Sequence, residues 1–596
     1  MTPSKRLGLM GKTKTNNLPD TDDNKQLANK FADYFIAKIE KICEDLLDSP
    51  KFVPVATTTS RLSSFSNVSS DAVLKMIRTA KPTTCPTDPI PSTIIKENSD
   101  IIVSLITSII NKSLQYGTFY DKWKMATVTP LLKKSDLQPQ LQNYRPVSNL
   151  SYISKIVERS VVSQLNSYLT ANNLQSGHQS AYKESFSTET ALCSLIDELL
   201  WSMEKGRANV LVSLDLSAAF DTVDHQILLD VLGSNYGISE TALHWISSYL
   251  MDRKLSVIIK DCSSDIKSFN FSVPQGSCLG PVLFNLYSST IVDCVAEGQS
   301  LGGYADDHCI IDSFDPASED EEEACVHRLE SSLNKISTWM ASNRLKMNPA
   351  KTEVTVFASK NTANKITTTS IEVANEPVPT SDLMKYLGVW FDSQLTLDKH
   401  ISSKCSSAIY NIRNIASIRR FINLDTAKLL ATSLVLTHLD YSNSILAGLP
   451  KKSISKMQRV QNWAAKVVLY RDKYSSSTEA LIQLHWLPVK ERIDFKILCI
   501  IFKCLNRMAP SYLSSKIKVK QFPKNTRASA IGLTLEVPYV RKSTFAARAF
   551  SVYGPKLWNS LEPKLQKMTS IDSFKRCLKT ELFKRAFKSN LTNKRS

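Results

Sequence analysis

The segment Gly303–His308 constrains the fold most, because it places two adjacent carboxylates, Asp306 and Asp307, between two short apolar runs. Successive side chains of a β-strand point to opposite faces, so both carboxylates can reach one site only from the turn of a hairpin. The sequence therefore predicts a β-hairpin whose turn carries this acidic pair. The alternative is a solvated surface turn without a function.

A third acidic residue, Asp215, follows the β-rich run at 209–214 and precedes a predicted helix. The end of a strand before a helix is where α/β proteins place functional groups, although Asp215 could instead be a helix N-cap. Three anions within about 4 Å would repel one another by roughly 4 kcal/mol per pair at an effective dielectric constant near 20, so such a cluster needs cations. Hard carboxylate oxygens suit Mg²⁺.

Charge is distributed unevenly along the 596 residues. Residues 393–596 contain 37 Lys and Arg against 11 Asp and Glu, a net charge of +26. Since the whole chain carries +18, residues 1–392 carry −8. A basic region beside an acidic one is typical of proteins that process polyanions, because one part neutralises phosphates while the other holds metal ions. The alternative is that the basic side chains only solubilise helix surfaces.

The cysteines and the apolar runs restrict the location of the protein. The twelve cysteines follow neither zinc-binding nor disulfide spacing, which indicates a reducing compartment. No apolar run of the sequence approaches 18 residues, and the basic N-terminus lacks the apolar core of a secretion signal. We therefore predict an intracellular protein of the nucleus or cytoplasm without a membrane-spanning segment.

Two stretches carry candidate substrate-binding residues. Residues 123–147 are typical of a strand, a basic turn and a second strand, where Lys133 offers a point charge and Arg145 a bidentate fork for a triphosphate. Either could equally be an ordinary exposed charge. In the Pro/Gly-rich loop 272–281, Gly276 would let a ligand approach the backbone and Gln275 could contact a template or nucleotide edge. The competing interpretation is a turn without a function.

Helical periodicity is clear at both ends of the chain. An amphipathic helix is predicted over about 24–47, within an N-terminal linker region at 1–100. Beyond about 393 the pattern is helical and basic. The tail at 573–588 repeats Phe and Leu among Lys and Arg, and could serve nucleic acid, a membrane surface or its own core. The sequence shows no lipidation signal, which favours the first and third of these.

Six segments, taken together and in this order, resemble the motif series of a reverse transcriptase of the non-LTR (LINE) retrotransposon type. They are 143–148, Asp215 with Phe220 and Asp221, 274–281, 304–307, 348–352 and 386–388. The phrases at 485–489 and 554–559 resemble jockey-like elements, and the similarity extends over nearly the whole chain from about residue 17.

The resemblance implies an α+β fold arranged as a right-hand polymerase. Fingers would span 115–208 and a palm with an antiparallel sheet 209–392. A helical thumb would follow at 393–475. The last region, 476–596, would be basic, mostly helical and nucleic-acid-binding.

The resemblance also implies an RNA-directed DNA polymerase that copies retrotransposon RNA by target-primed reverse transcription. Asp215, Asp306 and Asp307 fall on the catalytic, metal-binding positions, which imply two Mg²⁺ ions, with Mn²⁺ as an alternative. The expected partners are an RNA template, a DNA primer or target, and dNTPs. Lys351 would be the proton donor to the leaving group, beside the two phosphate-binding residues of the basic turn.

Phe220 bears on the type of sugar. Viral-type RNA-dependent RNA polymerases commonly have a second Asp at this position, whereas a ring would clash with a 2′-hydroxyl, so the product is predicted to be DNA. Cys278 departs from the family, which more often has an aliphatic residue or Thr there.

Full-length elements of this kind carry an endonuclease ahead of the polymerase, and the few leading residues cannot contain one. A fragment or truncated copy is therefore expected. The main alternative is a catalytically inactive RNA-binding remnant. Phe220 argues against an RNA-templated RNA polymerase, and the sequence shows no zinc-bound nuclease tail of an intron maturase.

Overall fold

The computed structural model describes residues 18–56, 58–83, 85–134, 136–521, 533–541 and 544–588, which form a mixed α+β protein. The α-helices are α1 (Asn24–Glu44), α2 (Ser70–Thr79), α3 (Ser92–Glu97), α4 (Ser99–Tyr116), α5 (Tyr152–Ala171), α6 (Thr188–Glu204), α7 (His225–Tyr236), α8 (Glu240–Leu250), α9 (Gly280–Tyr287), α10 (Glu319–Ser342), α11 (Lys360–Ala363), α12 (Asp398–Ile418), α13 (Leu424–Ala431), α14 (Thr437–Asp440), α15 (Lys451–Val468), α16 (Ser477–Leu484), α17 (Val489–Leu505), α18 (Ser511–Ser514), α19 (Phe550–Asn559), α20 (Pro563–Gln566) and α21 (Ile571–Ala586).

The strands alternate with the helices up to about residue 392. They are β1 (Met125–Leu132), β2 (Tyr144–Asn149), β3 (Ala208–Leu214), β4 (Leu216–Ser217), β5 (Arg253–Ile259), β6 (Cys262–Ser263), β7 (Lys267–Phe269), β8 (Ser300–Tyr304), β9 (Asp307–Phe314), β10 (Lys346–Met347), β11 (Glu353–Phe357), β12 (Ser370–Val373), β13 (Glu376–Pro379), β14 (Leu383–Tyr386) and β15 (Val389–Asp392). The predicted strand, turn and second strand at 123–147 are confirmed as β1 and β2.

Two sheets position the candidate site. The first has the order β2-β1-β5-β6, with β7 also on β5; β1 is antiparallel to β2 and parallel to β5. The second has the order β11-β3-β9-β8, and each of its strands is antiparallel to its neighbour. Its strand β3 is buried along nearly its whole length, which explains a continuous apolar run instead of an alternating one.

The apolar cores show how the chain is assembled. One core joins the helices α2, α4, α5 and α7–α10 to one face of the second sheet. Another contains Leu199 of α6, Phe391 of β15, Phe502 of α17 and Phe574 of α21. The helices beyond residue 476 therefore share a continuous core with the helices of 393–475 and with α6.

The helix predictions for the two ends are confirmed. The predicted amphipathic helix at 24–47 is α1, whose first backbone N–H groups donate to its N-cap Asp23. The basic tail forms α21, which buries Phe574, Leu578 and Leu582 in the shared core. Its apolar stripe is therefore used for packing. None of the helices in the described ranges is long and apolar enough to cross a bilayer.

Candidate active site

The acidic pair lies on a tight hairpin, as the sequence predicted. Strands β8 and β9 pair up to Tyr304 and Asp307, which leaves only Ala305 and Asp306 in the turn. Ala305 adopts a positive φ of 60°, a conformation that a two-residue hairpin turn requires. Asp306 in the turn and Asp307 at the start of β9 thus lie beside the end of β3.

Asp215 comes to the same edge of the second sheet. The pairing of β3 with β9 ends at Leu214 opposite His308, so the next position on β3 faces Asp307. The backbone of Asp215 is held by Asn348, whose N–H donates to the Asp215 carbonyl at 3.0 Å. Residues about 90 positions apart in sequence thus converge, as the sequence predicted, on one patch of carboxylates.

Burial and mutual repulsion raise the pKa values of two carboxylates of the patch. Burial, with the neighbouring charges of Asp306 and Asp215, raises the pKa of Asp307 from its ordinary value of 3.8 to about 6. Burial and Asp215 also raise the pKa of Asp306. Because each carboxylate disfavours ionisation of the next, a bound cation would stabilise the ionised forms.

Lys351 provides one cation at this patch. It ends the 3₁₀ turn Pro349–Lys351, and its Nζ lies 3.2 Å from Oδ2 of Asp215. Both side chains are solvent-accessible, at 66% for Lys351 and 35% for Asp215. In the part of the chain that the structure describes, no three His, Cys, Asp or Glu side chains already form a group that could hold a metal ion. The donor chemistry nevertheless fits Mg²⁺, because the three carboxylates offer hard oxygens beside solvent.

A side chain that sequence reasoning missed holds the hairpin turn. Gln179 is 1% exposed, and its Nε2 donates to the Ala305 carbonyl at 3.0 Å while its Oε1 accepts from the Ala305 N–H at 2.9 Å. The neighbouring Ser180 donates its N–H to the Gly303 carbonyl at 2.8 Å. A single buried Gln between two helices produces no periodic pattern in the sequence. Its polar side chain in the stretch 177–183 gave no indication of its partner.

The loop 272–281 contacts the protein itself. Gln275 Nε2 donates to both carboxylate oxygens of Asp221, at 2.7 and 2.9 Å. Gly276 has a φ of +93°, and a Cβ there would lie 2.6 Å from the Ser148 carbonyl oxygen. The close approach that Gly276 permits is therefore to Ser148 of β2, and a role of this loop toward template or nucleotide stays a prediction.

The basic residues of the first sheet lie on one face of the hairpin formed by β1 and β2. Arg145 pairs with Leu131, and Lys133, two residues further, bonds through its backbone to Asn143, so the two cationic side chains project alike. Lys133 Nζ donates to the Gln142 carbonyl at 2.8 Å. Burial, then the positive charges of Lys38 and Lys351, lower the pKa of Lys133.

Phe220 follows Asp215 by five positions in the sequence and is half-buried. Its ring stacks on Phe284 of α9, with ring centroids 4.3 Å apart and an interplanar angle of 27°. The ring is therefore held in a fixed orientation by α9.

Residues 132–391 match the family model of reverse transcriptase (RNA-dependent DNA polymerase). These residues belong to the reverse transcriptase family. This range contains the three carboxylates and the candidate phosphate-binding residues Lys133 and Arg145. The predicted resemblance is thereby confirmed, and the three carboxylates lie within the matched domain.

The reverse transcriptase domain also has curated relatives in Drosophila melanogaster. The chain is 26% identical over 401 residues to a protein described as a probable RNA-directed DNA polymerase from transposon BS, covering 65% of this chain and 43% of that protein. It is 24% identical over 386 residues to the RNA-directed DNA polymerase from mobile element jockey, covering 63% and 40%. The chain thus spans about two-fifths of the length of these relatives.

Proposed function

We propose that the protein is an RNA-directed DNA polymerase that copies retrotransposon RNA into DNA. The observation that carries this proposal is the convergence of Asp215, Asp306 and Asp307 at one edge of the second sheet, inside a reverse transcriptase domain. The names of the relatives from transposon BS and jockey support the same activity.

The chain's own side chains would divide the work. Asp215, Asp306 and Asp307 would hold two Mg²⁺ ions, or Mn²⁺ in their place, which when bound activate the primer hydroxyl and neutralise the leaving pyrophosphate. Lys133 and Arg145, on one face of the β1–β2 hairpin, would bind the triphosphate.

Lys351 would have a second role. Its ammonium group pairs with Asp215 before metal ions bind, and it would then be free to protonate the leaving group. Phe220, fixed against Phe284, would exclude a ribonucleotide 2′-hydroxyl by steric clash. The proposed fingers, palm and thumb would span 115–208, 209–392 and 393–475, and the action would be intracellular, primed at a DNA target.

Primer extension on an RNA template tests the proposal. We expect dNTP incorporation in Mg²⁺, none in EDTA, and loss of extension in Asp306→Asn. Asp252→Asn is the matched control, because Asp252 is exposed and has a φ of +56°, a conformation that Asn tolerates. Phe220→Ala should lower the preference for dNTP over rNTP.

Two outcomes would refute parts of the proposal. If wild-type protein binds RNA but extends no primer in Mg²⁺ or Mn²⁺, the chain is an inactive RNA-binding remnant, whose basic residues after 393 would still bind the phosphate backbone. If Phe220→Ala leaves the dNTP/rNTP ratio unchanged, Phe220 does not select the sugar.

A further inference from the structure

Helix α18 lies outside the matched domain, which ends at residue 391, and is fixed to α6. The side chain of Leu513 is fully buried in the core that α18 shares with α6. Directly after the helix, Lys516 pairs with Asp197 of α6 at 2.9 Å, and the Asp197 side chain is only 3% exposed. These contacts fix the position of Tyr512 on α18.

The hydroxyl group of Tyr512 lies between two other hydroxyl groups. It donates to Thr190 Oγ1 at 3.2 Å, and its oxygen lies 3.2 Å from Ser180 Oγ. Thr190 donates its own proton to the Ser187 carbonyl at 2.9 Å, so it accepts from Tyr512. Because the single Tyr512 proton is used toward Thr190, Ser180 is the donor in its contact with Tyr512. The three hydroxyl groups therefore form a chain that runs in one direction.

Ser180 belongs to the segment that holds the acidic hairpin. Its N–H donates to the Gly303 carbonyl of β8 at 2.8 Å, and the adjacent Gln179 forms a parallel bridge with Gly303. The side-chain amide of Gln179 holds Ala305 in the turn. A displacement of Ser180 would therefore reach the turn that carries Asp306.

A cavity borders this contact. Its volume is about 250 Å³, and Ser180, Gly303 and Tyr512 are among the residues that line it. Atoms beside a cavity lack van der Waals partners on that side, so packing resists their displacement less than it does in a filled core. The hydrogen bonds of Ser180 therefore decide how firmly residues 178–180 are held.

We propose that Tyr512 is a positioning residue of the polymerase, which acts through Ser180 on the segment that holds the acidic hairpin. This inference rests on the proposed polymerase function and deepens it. Catalytic side chains need to be held within about 0.5 Å of their productive geometry, so a small shift of the turn lowers the rate. The region beyond residue 476 would then contribute to catalysis as well as to nucleic-acid binding.

Two substitutions remove the contact, one from each side. Tyr512→Phe deletes the phenolic oxygen and keeps the ring against Phe186, where the ring centroids are 5.7 Å apart. Ser180→Ala deletes the other hydroxyl group and keeps the backbone hydrogen bond to β8. Tyr553→Phe is the matched control, because Tyr553 donates its hydroxyl to Asp494 Oδ1 at 2.7 Å in a contact between α19 and α17.

Steady-state primer extension and hydrogen–deuterium exchange measure the effect. We expect Tyr512→Phe and Ser180→Ala each to lower kcat about fivefold, with the KM for dNTP changed less than about twofold. The double variant should lose no more kcat than the single variants. Exchange in the peptide 300–308 should be about fivefold faster in both single variants, because the turn opens more often. Tyr553→Phe should match wild type in both assays.

The outcomes separate positioning from general stability and from failure of the polymerase. If Tyr512→Phe lowers the melting temperature as Tyr553→Phe does, but leaves kcat and the exchange rate at wild-type values, Tyr512 has only a structural role and the inference is overturned. Additive losses of kcat in the double variant would also overturn it, because the two hydroxyl groups would then act separately. If wild type extends no primer, faster exchange in Tyr512→Phe supports the contact while the polymerase is refuted, and unchanged exchange overturns both.

Discussion

The side-chain amide of Gln179 satisfies both backbone polar groups of Ala305, the residue between Tyr304 and Asp306 in the hairpin turn. A primary amide can donate and accept at the same time, as the backbone N–H and C=O groups of a paired strand do. The contact lies in a buried position, where a backbone group without a partner is costly. Gln179 therefore fixes the turn that carries Asp306, one of the three proposed catalytic carboxylates.

Gln179→Glu should misplace the turn with little change in volume. An ionised carboxylate can still accept from the Ala305 N–H but cannot donate to the Ala305 carbonyl. We expect a loss of stability of about 1–3 kcal/mol and a fall in kcat of about tenfold or more, with the KM for dNTP nearly unchanged. Denaturant unfolding and steady-state primer extension measure these effects.

Gln175→Glu makes the same chemical change at an exposed residue of the same segment and provides the control. A variant with wild-type kcat, or one in which only KM changes, would show that Gln179 does not position the turn.

Gly276 and Gly206 separate backbone conformation from close contact. Both have positive φ, +93° and +86°, but a Cβ meets the Ser148 carbonyl oxygen at 2.6 Å only at Gly276, while nothing lies within 4 Å at Gly206. Gly206→Ala should cost about 1 kcal/mol from backbone strain alone, and Gly276→Ala about 3 kcal/mol, because the clash adds to the strain. Equal losses in denaturant unfolding would disprove the close contact as the reason for this glycine.

The local patterns predicted much of the fold. The sequence predicted the hairpin at Asp306, the strand before Asp215 and the helices at both ends. Each of these elements has a short-range signal such as a turn, an apolar run or helical periodicity. The capping box of Ser187 and Thr190 at the start of α6 is a short-range signal of the same kind, because its residues are three positions apart.

Contacts between distant segments were not predictable in the same way. The Gln179–Ala305 contact joins residues 126 positions apart. Tyr512 donates its hydroxyl to Thr190 Oγ1 at 3.2 Å, over 322 positions, and so connects the region beyond 476 to the start of α6. The side chains involved are ordinary polar residues in sequence, and only the fold brings their partners to them.

Lys351 and a divalent cation should compete for Asp215. In Lys351→Ala the carboxylate loses the ammonium group 3.2 Å from its Oδ2, so metal ions would bind at lower concentration. We expect Mg²⁺ to raise the melting temperature of this variant at a lower midpoint concentration than that of wild type. The kcat of primer extension should nevertheless fall, because the proposed proton donor is gone.

Lys360→Ala, at an exposed position of α11, controls for the loss of one positive charge. An unchanged Mg²⁺ midpoint in Lys351→Ala would mean that the ion pair does not oppose metal binding. An unchanged kcat would exclude Lys351 as the proton donor.

The raised pKa of Asp307 makes stability depend on pH in a defined direction. The folded protein holds the Asp307 proton up to about pH 6, whereas the ordinary pKa is 3.8. Between these values the folded state binds more protons than the unfolded state, so the free energy of unfolding falls as pH rises through this window. Above about pH 6 Asp307 is ionised in the folded and the unfolded state. The whole cost of ionising it in the folded state then lowers the free energy of unfolding, unless a cation neutralises the carboxylate.

Asp307→Asn should therefore melt at a higher temperature than wild type at about pH 7.5 in EDTA, and this advantage should vanish below about pH 4. Adding Mg²⁺ at about pH 7.5 should raise the melting temperature of wild type more than that of the variant, because the variant lacks one of the three carboxylates. Asp252→Asn, outside the site, should show neither effect. If Asp307→Asn melts below wild type in EDTA at both pH values, the pKa of Asp307 is not raised in the folded protein. Repulsion from Asp215 and Asp306 would then not destabilise the fold, and a cation would not be needed to offset it.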